Sequence, residues 1–182
     1  MMKKGFTLLE LLIVIAILAV LATATVLVLN PGEYLRQARD TQRVTDLGSL
    51  HGALSLWVTS GVGTSSLGAC PASGRCTVTG VTAFGSACAT PNVVTSTVAT
   101  GTGWVDVVFS SIPGGSPLSK LPIDPVNNST STSYAYRCDN SALTYELDGV
   151  FESIKYRATD DLDGKDGGNQ ADIYEIGTRV DF

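Results

Sequence analysis

The fold is decided near the N-terminus, by the stretch Lys3-Lys4-Gly5-Phe6-Thr7-Leu8-Leu9-Glu10-Leu11-Leu12-Ile13-Val14 and by the apolar run that continues from it to Leu29. From Phe6 to Leu29, Glu10 is the single charged side chain, and no residue in this run breaks a helix. As an α-helix the run extends about 36 Å, enough to cross the ~30 Å hydrocarbon core of a bilayer. Because basic residues precede the run and none follows until Arg36, we expect a cytoplasmic N-terminus and an exported remainder.

Glu10 is the informative residue of this run. A carboxylate inside an apolar helix is unfavourable unless it has a partner, and such residues are functional candidates. Glu10 lies five residues after Gly5, which itself follows two lysines. The pattern Lys-Gly-Phe-Thr-Leu-Leu-Glu resembles the class III leader of type IV prepilins and pseudopilins.

The resemblance implies how the chain is processed and assembled. In that family a membrane peptidase cleaves after the glycine, here Gly5, and methylates the new N-terminal residue, here Phe6. The resemblance also implies that Glu10 pairs with the N-terminal amine of a neighbouring subunit, so that one buried charge offsets another in a low dielectric. The expected partners are the prepilin peptidase, the pilus or secretion assembly machinery, and further copies of this chain in a helical filament.

Three other interpretations of the run are weaker. An ordinary single-pass anchor accommodates its length but explains neither Glu10 nor the Gly5–Phe6 junction. A secretory signal peptide cleaved near Ala22-Thr23-Ala24 would have an unusually long apolar core that contains the acid. A core helix of a soluble domain is disfavoured because no face of residues 8–29 is polar.

Composition limits the function of the exported part. After the leader and the apolar helix, about 120 to 150 residues remain, which is enough for one modest domain. The net charge of −5 and the pI near 4.7 give no electrostatic footprint for binding nucleic acid. The sequence contains no recognisable nucleophile–base pair, phosphate-binding loop or His/Cys metal cluster, so we expect a protein that is not an enzyme.

The sequence predicts an α+β fold of the type IV pilin kind, in which a long N-terminal helix packs on a small antiparallel sheet. The helix is expected to be interrupted at Asn30-Pro31-Gly32, because proline removes a backbone donor and crowds the preceding turn. The predicted parts are a prepilin leader (1–5), a membrane and filament-core helix (6–30), an amphipathic helix (31–60), a disulfide-stapled variable insertion (61–120) and an antiparallel sheet with an acidic C-terminal loop (121–182).

The amphipathic helix has one apolar face and one charged face. Apolar residues recur at steps of three and four, namely Val44, Leu47, Leu50, Leu54, Trp57 and Val58. Charged residues are assigned to the other side, namely Arg36, Arg39, Asp40, Arg43 and Asp46. We interpret these charges as a solvated face or, alternatively, as salt bridges to neighbouring subunits.

Four cysteines lie on the exported side, where thiols oxidise, and predict two disulfides. They are Cys70, Cys76, Cys88 and Cys138. Cys138 is expected to tie the sheet to the insertion through one of the other three, and the sequence leaves three connectivities open.

Several segments are predicted to be strands. The alternating runs Tyr134–Cys138 and Leu143–Leu147 flank a turn and predict a hairpin, and Ser153–Arg157 is a candidate third strand. Trp104–Phe109 is interpreted as a strand or a half-buried segment. Short strands are also expected inside the insertion, near Thr77–Thr82 and Val93–Val98.

The C-terminal half adds to the family resemblance. The segment Leu121–Asn128, followed by Tyr134-Ala135-Tyr136, resembles the Leu-Pro-x-Asp-Pro segment of major pseudopilins. Residues 163–173 resemble the calcium-binding loop of the same proteins.

The acidic loop is therefore a candidate calcium site. Four carboxylates fall within residues 160–166, and a hard cation bound by oxygens in a glycine-rich loop would reduce their repulsion. Asp163 and Asp172 match the family's acids, while Asp161 and Asp166 are candidates by proximity. The alternative is a solvated acidic turn without metal.

The functional expectation is a filament subunit. A structural pilin for adhesion, motility or DNA uptake would use the long insertion as an elaborated surface, whereas a pseudopilin of a type II secretion system would have the calcium loop. A membrane-tethered binding domain with an uncut leader is the third alternative. The expected location is the inner or cytoplasmic membrane as a single-pass protein, followed by an extracellular pilus or a periplasmic pseudopilus.

Processing at the Gly5–Phe6 junction is directly testable. We expect the mature chain to begin with N-methylated Phe6, as measured by mass spectrometry of the protein purified from membranes. A chain that begins at Met1 or at Thr25 would contradict this assignment.

Overall fold

The computed structural model describes residues 5–61, 66–84, 87–128 and 130–182. It divides into two compact units, residues 1–35 and 36–182. The helices are α1 (Leu8–Leu29) and α2 (Pro31–Ser60), and the strands are β1 (Arg75–Cys76), β2 (Tyr134–Asp139), β3 (Thr144–Gly149) and β4 (Tyr174–Gly177). The strands form one antiparallel sheet in the order β1-β2-β3-β4. The predicted α+β class is confirmed.

The break between the helices lies where the sequence predicted it. Helix α1 ends at Leu29, and Asn30 adopts the left-handed conformation with φ 41° and ψ 69°. Helix α2 then begins at Pro31, a position where proline needs no backbone N–H and its fixed φ suits a helix. At the other end, Gly61 has φ 63°, which is the usual left-handed stop after a last helical residue.

The main core lies between α2 and one face of the sheet. Leu47, Leu50, Leu54 and Trp57 are buried as the apolar spacing predicted, whereas Val44 and Val58 are only partly buried. Because alternate side chains of a strand point to opposite faces, the apolar members of the hairpin meet this helix. The sheet residues in this core are Tyr134, Tyr136, Cys138, Tyr145 and Leu147.

The charged face predicted for α2 is wrong at two positions. Asp40 and Arg43 are fully buried, and the Arg43 guanidinium binds Asp40 at 2.7 Å and Asp124 at 2.6 Å. Asp40 in turn accepts hydrogen bonds from the backbone N–H groups of Glu152 and Ser153. Burial disfavours the charged guanidinium, but the bonds and charges of the carboxylates outweigh it and raise the pKa of Arg43. These charges therefore join segments of one subunit.

Two disulfides form in the unit of residues 36–182. Cys70 bonds Cys138 and Cys76 bonds Cys88, so the prediction that Cys138 ties the sheet to the preceding segment is confirmed. Strand β1 pairs with β2, with Cys76 opposite Ala135. The segment predicted to be an insertion thus supplies an edge strand, but at Arg75–Cys76 rather than at residues 77–82. In residues 93–98 only Val93 makes a strand-like bridge, to Cys76.

The predicted third strand is wrong, and of the two interpretations of Trp104–Phe109 the structure agrees with the half-buried segment rather than the strand. Residues 153–157 form a helical turn, in which the Arg157 N–H donates to the Ser153 carbonyl at 3.2 Å, because β4 already occupies the free edge of β3. Trp104–Phe109 is a largely buried loop whose backbone N–H groups donate to carbonyls of separate segments. The Trp104 N–H, for example, donates to the Ser96 carbonyl at 3.1 Å. The segment buries its apolar side chains although its backbone is not paired in a continuous strand ladder.

Removing the buried guanidinium should destabilise the unit of residues 36–182. Arg43→Met leaves two buried carboxylates without their counter-charge, so we expect the free energy of unfolding to fall by about 3–5 kcal/mol. Arg39→Met is the matched control, because Arg39 pairs with Glu152 at a partly exposed site, and such pairs contribute about 1 kcal/mol or less. Denaturant unfolding of the full chain in detergent measures both, and equal losses would contradict the proposed difference.

Candidate functional site

The first turn of α1 holds Glu10 through a reciprocal cap with Thr7. The Thr7 backbone N–H and hydroxyl both donate to Glu10 Oε2 at 2.9 Å, and the Glu10 N–H donates to Thr7 Oγ1 at 3.2 Å. This is the capping-box arrangement, which satisfies helix-terminal donors. A carboxylate in the first turn is also favoured by the positive end of the helix dipole. Glu10 is therefore fixed at the start of the helix.

The remainder of α1 is apolar on every side. Residues Leu8–Val26 are long and apolar enough to cross a membrane, and none of this segment is buried inside the protein. A helix that is hydrophobic all round requires either a lipid or a protein environment. The predicted cleavage junction precedes the helix, where Phe6 is 83% exposed. The basic residues Lys3 and Lys4 lie outside the described residues.

Residues 1–26 match the family model described as the prokaryotic N-terminal methylation motif. The chain carries the N-terminal methylation motif of type IV pilins and pseudopilins. The motif covers Gly5, Phe6 and Glu10, which the sequence singled out for cleavage, methylation and assembly; those residue roles stay predictions. With its apolar helix, the methylation motif fits a single-pass membrane-anchored precursor processed by prepilin peptidase. No curated protein and no solved structure matches the chain.

Beyond the methylation motif, the acidic loop was the second predicted site. Its four candidate carboxylates lie beside basic side chains or accept backbone hydrogen bonds in the structure. Asp161 lies 3.4 Å from the Lys165 amine, and both oxygens of Asp166 accept backbone hydrogen bonds, from Gly168 and Glu175. Asp166 therefore shapes the loop as a backbone cap.

Arg157 stands between the two acids that match the pseudopilin loop. Its guanidinium lies 2.9 Å from Asp172 Oδ1 and 3.7 Å from Asp163 Oδ2. Asp172 is 86% exposed at its side chain, whereas Asp163 is buried and its Oδ1 has no hydrogen-bond partner. Burial raises the pKa of Asp163, while Arg157 acts in the opposite direction. As placed, the four acids do not converge on one point, and calcium in this loop stays a prediction.

A different set of carboxylates does converge. Glu146, Asp148 and Glu175 each place a carboxylate oxygen within 4.8 Å of the others. All three are buried, on the face of the sheet opposite α2. This face is covered by Val81, Ala83, Phe84 and Cys88, together with the C-terminal Phe182.

Burial raises the pKa of all three groups, and repulsion from neighbouring carboxylates adds to this effect: Glu175 acts on Glu146, and Asp166 acts on Glu175. Asp148 is affected most strongly, since Glu146, Glu175 and Asp166 all act on it in the same direction. At a separation below 5 Å, like charges in a protein interior cost a few kcal/mol per pair. The arrangement therefore needs protons or a cation to compensate it.

Sequence reasoning missed this cluster. Glu146 and Asp148 alternate with apolar residues along β3, and this pattern ordinarily indicates a solvent face. The available signal was a second run, Tyr174–Gly177, that places another acid on a neighbouring strand. What the alternation could not reveal is that distant segments of the chain cover this face.

The Thr7 cap can be separated from the Glu10 charge. Thr7→Val removes the hydroxyl, and because loss of an N-cap costs about 1 kcal/mol, we expect roughly fivefold faster amide exchange in the first turn of α1. Thr7→Ser keeps the hydroxyl and should exchange at the wild-type rate. Hydrogen–deuterium exchange of the full chain in detergent measures both, and identical rates for the two variants would remove Thr7 from the cap.

Proposed function

We propose that the chain is a structural subunit of a type IV pilus-like filament. In this proposal the precursor is stored in the membrane by α1, cleaved after Gly5 and methylated on Phe6. The processed helix then leaves the lipid and packs against the helices of other copies, with residues 36–182 as the outer part of the filament. Binding between copies, rather than catalysis, is the proposed activity.

The observation that carries this proposal is the combination of an apolar, exposed α1 with one fixed carboxylate near its start. A simple membrane anchor does not account for Glu10, because a charge in the hydrocarbon region is unfavourable. A helix bundle can use it, because cleavage after Gly5 creates a positive amine on Phe6 of each copy. A carboxylate of one copy and an amine of another would then set the axial register of neighbouring helices.

A second candidate is the major pseudopilin of a type II secretion system, a closely related assembly. It is favoured by the segment Leu121–Asn128, which resembles the pseudopilin pattern. In this chain Asp124 of that segment pairs with Arg43 and accepts the N–H groups of Val126 and Asn127. The turn thus has a structural role, so it supports a shared architecture more than a shared secretion role.

Glu10 provides the test of this function. Glu10→Gln keeps the length of the side chain and can still accept from Thr7, but it removes the charge. We expect normal membrane insertion and normal levels of precursor, with filament yield falling to background, because the neighbouring amine loses its partner. Glu10→Asp keeps the charge and is the matched control, for which partial assembly is expected.

Electron microscopy of sheared filaments and mass spectrometry of the membrane-bound chain give the two readouts. Normal filaments from Glu10→Gln would contradict the assembly role. A wild-type chain that keeps its leader would instead favour the membrane-tethered binding domain. Loss of protein export without long surface filaments would favour the pseudopilin.

A further inference from the structure

The buried face of the sheet brings three acids together through its register. Asp148 on β3 is the direct cross-strand partner of Glu175 on β4. Glu146 lies two residues before Asp148, so it points to the same face. One carboxylate oxygen from each residue lies within 4.8 Å of the others. The convergence is therefore fixed by the backbone of two paired strands.

The oxygens at the centre of this cluster have no partners. Glu146 Oε2 accepts the Phe182 N–H at 3.1 Å, and Glu175 Oε2 accepts the Gln170 N–H at 2.9 Å. The second oxygen of each glutamate, Oε1, is buried without a hydrogen bond. Asp148 is only 2% exposed, and neither of its oxygens has a hydrogen-bond partner. A buried carboxylate with no partner at all points to a missing positive ligand.

The basic side chains near this cluster have other contacts. Arg137, which lies opposite Glu146 on β2, places its guanidinium over the rings of Phe84 and Phe182. Arg179 acts electrostatically on Glu146, but its guanidinium pairs with Asp181 at 2.6 Å. Arg157 pairs with Asp172. Asp166, which caps the Glu175 N–H, adds further negative charge. Across the described ranges of the chain, the ion pairs that the structure contains involve none of the three converging acids.

We propose that Glu146, Asp148 and Glu175 bind one hard divalent cation, calcium, on the covered face of the sheet. The ion would take Asp148 as its central ligand and the free Oε1 atoms of the two glutamates beside it. It would link β3 to β4 and, through Glu146, to the C-terminal Phe182. The bound ion would neutralise the negative charge of the three buried carboxylates.

The donor chemistry selects the ion. The cluster offers only carboxylate oxygens, which suit calcium or magnesium rather than zinc. Magnesium retains several waters and usually takes one or two carboxylates, whereas calcium accepts six to eight oxygens in flexible geometry. Three carboxylates in a covered site therefore favour calcium. Asp148 also lines a cavity of ≈ 320 Å³ together with Val81 and Ile173, which provides a path for the ion.

The ligands of this site differ from those of the predicted loop site at Asp163 and Asp172, although Asp172 and Arg157 line the same cavity as Asp148. The calcium site does not depend on the filament proposal. Asp148 and Asp172 therefore make a matched pair for the same substitution. Asp148→Asn removes the central charge of the cluster, and its amide can donate to the glutamates. Asp172→Asn changes an exposed acid of the loop.

Thermal melting of the full chain in detergent, in 1 mM calcium chloride and in EDTA, is the experiment. At about a hundredfold excess of calcium over its dissociation constant, the wild-type melting temperature should rise by roughly 5–10 °C. Asp172→Asn should keep this shift. Asp148→Asn should lose it, and should melt higher than the wild type in EDTA because repulsion between the acids is relieved. Magnesium at the same concentration should give a smaller shift.

Two results would overturn the proposal. If the wild type melts identically in calcium and EDTA, the three acids are held by shared protons rather than by a cation. If Asp172→Asn loses the calcium shift while Asp148→Asn retains it, the ion binds at the acidic loop. Because Asp148→Asn is expected to gain stability in EDTA, a failure of that variant to fold would also count against the site.

Discussion

The ionic contact between Arg43 and Asp124 is the constraint on which the unit of residues 36–182 depends. It joins a helix to a turn that follows 81 residues later, and Asp40 extends the network to the backbone of residues 152 and 153. Both partners are fully buried, so neither charge can be left alone without a large cost. The position of α2 on the sheet, and the path of the chain after β3, follow from this network.

The two buried faces of the sheet differ in polarity: one is apolar and the other is acidic. Tyrosines and leucine of the hairpin pack against α2 and exclude water, whereas the other face buries acids beneath a disulfide-closed segment and the C-terminus. An apolar face is stabilised by the hydrophobic effect alone. A buried acidic face requires a counter-charge or protons, and the proposed cation would supply the former. The same strands can therefore anchor the helix and hold an ion.

The stability of helix α1 has a different basis. In residues 36–182 the core apolar side chains are covered by other elements of the same chain, but the side chains of Leu8–Val26 remain exposed. Its stability consequently depends on surroundings that change between the membrane and a filament. The Thr7–Glu10 cap keeps the carboxylate at a defined point of the helix in either environment, and a defined position is what a contact between copies requires.

The sequence by itself determined the methylation motif, the apolar helix, the break at Asn30, the buried stripe of α2 and the β2–β3 hairpin. Each of these depends on local spacing or on the chemistry of a few adjacent residues. The tertiary structure alone decided that Arg43 is buried rather than solvated, that residues 153–157 coil because β4 takes the edge of β3, and that Cys70 bonds Cys138. It also decided that Glu146, Asp148 and Glu175 meet beneath a covering segment. Local patterns cannot specify these features, because each depends on which distant segment covers a face or pairs with an edge.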